Sequence, residues 1–248
     1  VYFIQGFETW GSPQLNIKVL KSYRLAFDEH ISVSTALHDR LFNEAGCKSK
    51  VVCNGVEDCF LTPVEKEIPS ESIITIGIPY RSSCGDDIKN CTLGISVLYQ
   101  IKKKYPHVKL VAFGFKKPSE WDEQIIFVEN PSREVLVKLY AHINIFYVPS
   151  IYEGWGLPAM EAMAQKCCVI AGDSGVIKEI GRDKINCIIL EDPRNKNEAI
   201  NKLSELVCNP NLVSEIGEAA RTSVSNMSTT KSAKRFEEIL MSLLKEYK

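Results

Sequence analysis

Two glutamates, Glu153 and Glu161, stand eight residues apart around Gly154-Trp155-Gly156-Leu157-Pro158-Ala159-Met160. An ionised carboxylate only accepts hydrogen bonds, which suits the paired hydroxyls of a ribose or a hexose. Gly154 and Gly156 let the main chain approach a ligand that side chains would hold off. Pro158 suits the first turn of a helix that begins near Leu157, where its missing N–H costs nothing. The free amides of Gly156, Leu157 and Ala159 then face a crevice, as a site for a phosphate or sugar oxygen. A helical first turn also points Glu161 toward its own N-terminus, into the same crevice as Glu153. The competing reading makes Glu161 a partner of the helix dipole and Glu153 a solvated loop residue.

Such a loop needs a strand before it, and apolar runs alternating with helical periodicity supply one. Strands are expected at 2–5, 30–33, 50–53, 73–78, 108–113, 125–128, 144–148, 168–171 and 187–190. Helices are expected at 15–27, 35–45 (stopped by Gly46), 90–104 (ended by Pro106) and at the C-terminus. In the last, Phe236, Ile239, Leu240, Leu243 and Leu244 share one face. Residues 60–72 break the rhythm with Pro63 and Pro69 among charges and read as a linker. The fold class is α/β, a doubly wound parallel sheet covered on both faces, with ligands at the carboxyl ends of its strands.

A chain of 248 residues, 45% hydrophobic and 25% charged, is neither disordered, collagen-like nor a coiled coil. Its net charge of −1 gives no basic stripe for nucleic acid, and no apolar run is long enough to span a bilayer. The nine cysteines show no C-x-x-C or zinc spacing and read as small hydrophobes in a reducing compartment. Asp86-Asp87 and Glu120-Trp121-Asp122-Glu123 read as solvated turns, and no metal or other cofactor is expected.

The run from Glu153 to Ala164 resembles the E-x7-E signature of family 4 glycosyltransferases, which have the GT-B fold; Trp155 stands where phenylalanine is usual. Val169 to Val176 with Glu179-Ile180 resembles that family's strand and Ser-Gly-Gly turn with its downstream Glu. Val51-Val52-Cys53-Asn54-Gly55-Val56-Glu57 resembles its P-N-G-V-D strand, and 30–34 the preceding strand ending in Ser34. The resemblance implies a nucleotide-diphosphate sugar as donor. Glu161 would accept from the ribose, Glu153 would contact the transferred sugar, and the main chain of Gly154, Trp155, Gly156 and Leu157 would hold sugar and diphosphate. The family's basic pair would be Arg81 and Lys89, neutralising the leaving diphosphate with the helix N-terminus as C–O cleavage proceeds through an oxocarbenium-like, retaining transfer. This stretch departs from the family pattern, with Ile78-Pro79-Tyr80 and Asn90 where glycines are usual. Base contacts are expected from the loop at 129–131.

The resemblance divides the chain into the end of an acceptor-side Rossmann-like domain (1–62), a linker (63–72) and a nearly complete donor domain (73–248). The absence of an initiator methionine before Val1 fits a chain whose first part is missing and which cannot transfer sugar unaided. Neither His30 nor His38 falls where the family's catalytic-side histidine is expected. The glycan or lipid-linked acceptor would be held through that absent domain, in the cytoplasm or peripherally at the membrane's cytoplasmic face. The alternatives are a GT-B sugar-nucleotide epimerase and a non-catalytic donor-binding module needing a partner chain.

Overall fold

Strands that read as unbroken apolar runs must be covered on both faces, and the computed structural model arranges them so. The structure describes residues 1–7, 16–62, 64, 66, 74–81, 88–119 and 121–246. A small parallel sheet comes first, with β1 (Tyr2–Ile4), β2 (His30–Ser32) and β3 (Lys50–Val51) side by side in chain order. Two helices, α1 (Asn16–Tyr23) and α2 (Thr35–Ala45), make its crossovers. The limits of α2 are set locally: Ser34 Oγ accepts from the Leu37 amide at 3.2 Å, and Gly46 ends the helix at a φ of 71°.

A helical turn, α3 (Asp58–Leu61), leads toward the second sheet. That sheet comprises β4 (Thr75–Tyr80), β5 (Lys109–Gly114), β6 (Ile125–Glu129), β7 (Ile145–Val148), β8 (Cys168–Gly172) and β9 (Ile188–Leu190). Its helices are α4 (Cys91–Lys104), α5 (Arg133–His142), α6 (Leu157–Ala164), α7 (Val176–Ile180), α8 (Lys196–Val207) and α9 (Pro210–Val224), and α10 (Thr229–Glu246) closes the chain. All six strands are parallel, in the spatial order β6-β5-β4-β7-β8-β9. The chain therefore enters at the centre, winds outward to β6, and returns to wind the other way from β7. At such a reversal the loops leaving two neighbouring strands diverge and open a crevice at their carboxyl ends.

Successive residues of one strand feed opposite cores. Ile145 and Tyr147 pack with Ile76, Ile78 and Ile170, whereas Phe146 and Val148 pack with Val169 and Ala171. The second of these cores runs on without a break into Ile4, Val33 and Leu37 of the small sheet's unit. The structure thus confirms a doubly wound α/β fold with parallel sheets.

Two regions differ from the sequence reading. Phe60, read as the start of a linker, is fully buried within α3, and most of 63–72 lies outside the described residues. The last helix follows the larger sheet in sequence but packs on the smaller one, with Phe236, Ile239 and Leu243 against Ile31 and Val52. It gets there through a crossing at which the Val56 amide bonds to Met227 O and the Thr229 amide to Val56 O, both at 2.9 Å. A β-carbon on Gly55 would lie 2.1 Å from the Ser228 carbonyl carbon, so only glycine permits that crossing.

Gln165, at the end of α6, is buried and donates through Nε2 to Phe60 O at 2.5 Å and Thr62 O at 3.3 Å. Gln165→Leu preserves size but strips a buried carbonyl of its donor. It is expected to cost about 1–3 kcal/mol, read as a lower urea midpoint with an unchanged far-UV circular dichroism spectrum.

Candidate functional site

The reversal point lies between β4 and β7, and the residues that follow these two strands converge there. A cavity of about 310 Å3 is lined by Arg81 and Lys89 from the β4 side and by Glu153, Gly156 and Pro158 from the β7 side. Gly156 adopts a φ of 88° as the N-cap of α6, with proline in the helix's first turn. The Ala159 amide, expected to be free, donates to Gly156 O at 3.0 Å, so the outward amides are those of Gly156 and Leu157.

Lys89 Nζ lies 2.6 Å from Glu153 Oε1, with the glutamate side chain 14% exposed. Asn90, the departure from a glycine pattern, explains how Lys89 is held. It takes a left-handed φ of 52° and donates through Nδ2 to Pro193 O at 2.9 Å and Pro149 O at 3.3 Å. Asparagine tolerates that backbone region better than other non-glycine residues, and here its amide ties the start of α4 to the loop after β7. Arg81 is exposed beside the same cavity, its main-chain amide 3.5 Å from Cys91 Sγ. Asp86 and Asp87 lie outside the described residues, as does Glu120. Asp122 closes a local turn, accepting from both the main-chain and side-chain amides of Gln124.

Glu161 does not share this cavity. It lines a separate one of about 600 Å3 with Asn54, Glu57, Leu157, Phe236 and Leu240. The reason is helical geometry: Leu157 and Glu161 are four apart and lie on one face, which turns away from Glu153. Glu161 is buried, accepting from Tyr140 Oη at 3.0 Å and Arg133 Nη1 at 3.1 Å. Burial pushes its carboxyl up to about 6, against the opposing pull of the Tyr140 hydroxyl and the Arg133 guanidinium. Arg133 also reaches Glu57 Oε1 at 3.0 Å, so one cation serves carboxylates from both sides of the chain's two sheets. Sequence reasoning missed Arg133 and Tyr140. Their only signal was their seven-residue spacing on one face of α5, which marks a helix face but no chemistry.

Trp155 turns inward: its indole is buried and donates to Met160 Sδ at 3.2 Å, leaving only its main chain near the crevice. Its carbonyl accepts from the Val176 amide at 2.5 Å, which binds the loop to the turn after β8. Gly175 makes that approach possible, with a φ of 55° and no room for a β-carbon, which would lie 2.3 Å from Trp155 O. Glu179 crosses to the small unit and accepts from Thr35 N at 2.6 Å, Thr35 Oγ1 at 2.8 Å and Ala36 N at 3.4 Å, an anion at the N-terminus of α2. His30 contacts Tyr23 O and His38 contacts Ser49 Oγ, and neither lines the cavities described above. Asn130, in the loop expected to meet a base, takes a φ of 43° and donates to Gly114 O at 2.6 Å. No helix among the described residues is long and apolar enough to cross a membrane.

Residues 86–223 match the family model described as glycosyl transferases group 1. Over 90 residues the chain is 32% identical to an MMP α-(1→4)-mannosyltransferase of Mycolicibacterium hassiacum, covering 36% of this chain and 22% of that protein. The matches span less than half the length of the curated relatives found. The fold superposes on sucrose-phosphate synthase from Thermosynechococcus elongatus with a TM-score of 0.80 at 17% identity, covering 98% of this chain and 67% of that one. Anabaena HepE, solved in complex with UDP and glucose, gives a TM-score of 0.78 at 18% identity, covering 97% and 71%.

A carboxyl that holds its proton more tightly when folded contributes stability at low pH and loses it as pH rises past the unfolded value. For Glu161 that window runs from about 4.5 to about 6. The stability difference between wild type and Glu161→Gln is therefore expected to fall by about 2 kcal/mol across it and to stay flat above pH 7. Urea unfolding at a series of pH values measures it; a difference that does not vary with pH contradicts the assignment.

Proposed function

The chain belongs to the group 1 glycosyl transferases, and from that we propose that it binds a nucleotide-diphosphate sugar at the β4–β7 crevice. The whole protein would transfer the sugar, with retention of configuration, to a glycan or lipid-linked acceptor. One observation carries the reading: the Lys89–Glu153 pair beside the outward amides of α6, at the one point where the winding of the sheet reverses.

In the free protein these two charges satisfy each other. A diphosphate entering the crevice competes for Lys89, with Arg81 nearby and the first amides of α6 offering further positive potential. Once Lys89 turns to the diphosphate, Glu153 is released to accept from hydroxyls of the sugar. As the bond between the anomeric carbon and the diphosphate oxygen breaks, its electron pair stays on that oxygen, where the cations and helix amides offset the charge. These groups supply the stabilisation without a metal. For Glu161 to hold the ribose, the nucleoside would have to pass from the crevice over Leu157 into the separate cavity that Glu161 lines, where each of its oxygens keeps a lone pair beyond its bonds to Tyr140 and Arg133. Retention would follow from attack by an acceptor hydroxyl on the face that the diphosphate leaves, the new C–O bond replacing the broken one and the hydroxyl proton passing to the departing diphosphate oxygen. UDP bound to HepE and the mannosyltransferase among the relatives support a nucleotide-sugar donor; the panel below distinguishes the bases.

Calorimetric titration with UDP, GDP and dTDP, their monophosphates and UDP-glucose, GDP-mannose and dTDP-rhamnose tests the site. Lys89→Met is expected to weaken the diphosphate at least tenfold, about 1.4 kcal/mol, and the monophosphate little. Glu153→Gln removes a competitor for Lys89, so it should bind the diphosphate at least as tightly as wild type. It should also lose whatever affinity the sugar adds. A folded wild type that binds none of these nucleotides would sink the donor reading.

A further inference from the structure

The large cavity beside Glu161 has walls of two kinds. Leu157, Phe236 and Leu240 give it apolar surface, and Phe3 of β1 joins them with its ring edge-on to Phe236, 5.2 Å between centroids. Glu57, Glu161 and Glu237 give it three carboxylates. The loop at 129–131, the sequence-based expectation for base contacts, lines neither this cavity nor the crevice with Lys89. We propose that the last helix and the small sheet, rather than that loop, read the base of the donor nucleotide in this cavity, and that the base is guanine. The inference rests on the donor reading above.

Leu157 makes the connection. It is 39% exposed on the first turn of α6, where the outward amides of Gly156 and Leu157 also lie. A diphosphate held at those amides and at Lys89 has two ends to place: the sugar toward Glu153, and the nucleoside over Leu157 toward Glu161. The phosphates do not follow the nucleoside inward. Arg133 is shared between Glu57 and Glu161, so the lining keeps a net negative charge. At about 600 Å3 the cavity falls within the range of small-molecule sites.

Its walls stand ready without a ligand. Thr229 Oγ1 donates to Gly55 O at 3.2 Å and Ser232 Oγ to Cys53 O at 2.7 Å, which fastens the start of α10 to the end of the small sheet's unit. Ile239 and Leu243 hold the rest of the helix on Ile31 and Val52. Apolar and aromatic walls accept the faces of any base, so the choice among bases falls to the edge. Guanine presents the N–H groups of N1 and N2 side by side, and one carboxylate accepts both. Uracil and thymine present a single N–H between two carbonyl oxygens, which a carboxylate repels; adenine sets one amino group beside a bare ring nitrogen. With Glu161 given to the ribose and Glu57 to Arg133, Glu237 is the carboxylate left for that edge.

Calorimetry with GDP, UDP, dTDP and ADP beside inorganic pyrophosphate tests the proposal, because pyrophosphate meets only the cations and the helix end. GDP is expected to bind at least tenfold more tightly than the other three nucleotides. Ala233 lines the cavity from an exposed position on α10, so Ala233→Trp should fill it. GDP affinity should then fall about tenfold or more, toward that of pyrophosphate, with pyrophosphate itself within twofold of wild type. Glu237→Gln, also at an exposed position, should abolish the preference for GDP over UDP and leave pyrophosphate unchanged. If GDP binds and neither substitution moves it, the nucleoside lies elsewhere; this assignment falls and the donor site stands. UDP, dTDP or ADP binding as tightly as GDP overturns the choice of guanine. If no nucleotide binds, the donor reading fails, and this assignment with it.

Discussion

The reversal of winding between β4 and β7 is the constraint on which the rest of the molecule depends. Two neighbouring parallel strands whose chains leave toward opposite faces cannot have their carboxyl ends covered by one connection. The gap must be lined by whatever follows each strand. After β4 that is Arg81 and, further on, Lys89 at the start of α4; after β7 it is the Glu153–Gly156 loop and the first turn of α6. Cations from one side and a carboxylate with helix amides from the other are thus brought together by topology, from positions 64 residues apart in sequence.

Within that frame, two residues of one chemical type acquire different characters. Glu153 meets a lysine at the edge of solvent, and its charge is balanced by a partner that a ligand can take. Glu161 is withdrawn from water, which raises the cost of its charge, and its partners sit deeper. Tyr140 is fully buried; burial and the adjacent carboxylate hold its hydroxyl protonated, so it remains a donor. Arg133 is half exposed and spans Glu161 and Glu57, so the electrostatic balance of the larger sheet's carboxylate includes a residue that follows the smaller sheet.

The fold was legible wherever a short run sufficed to define an element. The end of α2 came from Gly46, and the strands read at 144–148 and 168–171 from their apolar runs, because caps and buried strands are local properties. Gly156 and Pro158 marked the start of α6 for the same reason. What stayed hidden is relational. Nothing near Glu161 in sequence names Arg133 or Tyr140, which reach it from another helix, and the eight-residue spacing could not show that the two glutamates line different cavities. Asn90 looked like a lapse from a glycine pattern until its left-handed backbone and its two carbonyl partners gave it a reason. The final helix showed its apolar face plainly, but not which sheet that face would meet.

That helix leaves a mark on how the chain must fold. Residues 31 and 52 find their cover at 236–243, a sequence separation that spans most of the molecule. Contacts of such high order close late, because the loop entropy between them is lost before their burial repays it. The larger sheet, by contrast, holds its strands and crossovers within one continuous stretch and can consolidate as it emerges from the ribosome. Ile31 and Val52 of the smaller sheet meet the last helix only once that helix has been released. The cover of Ile31 and Val52 is therefore a contact that chain connectivity places late.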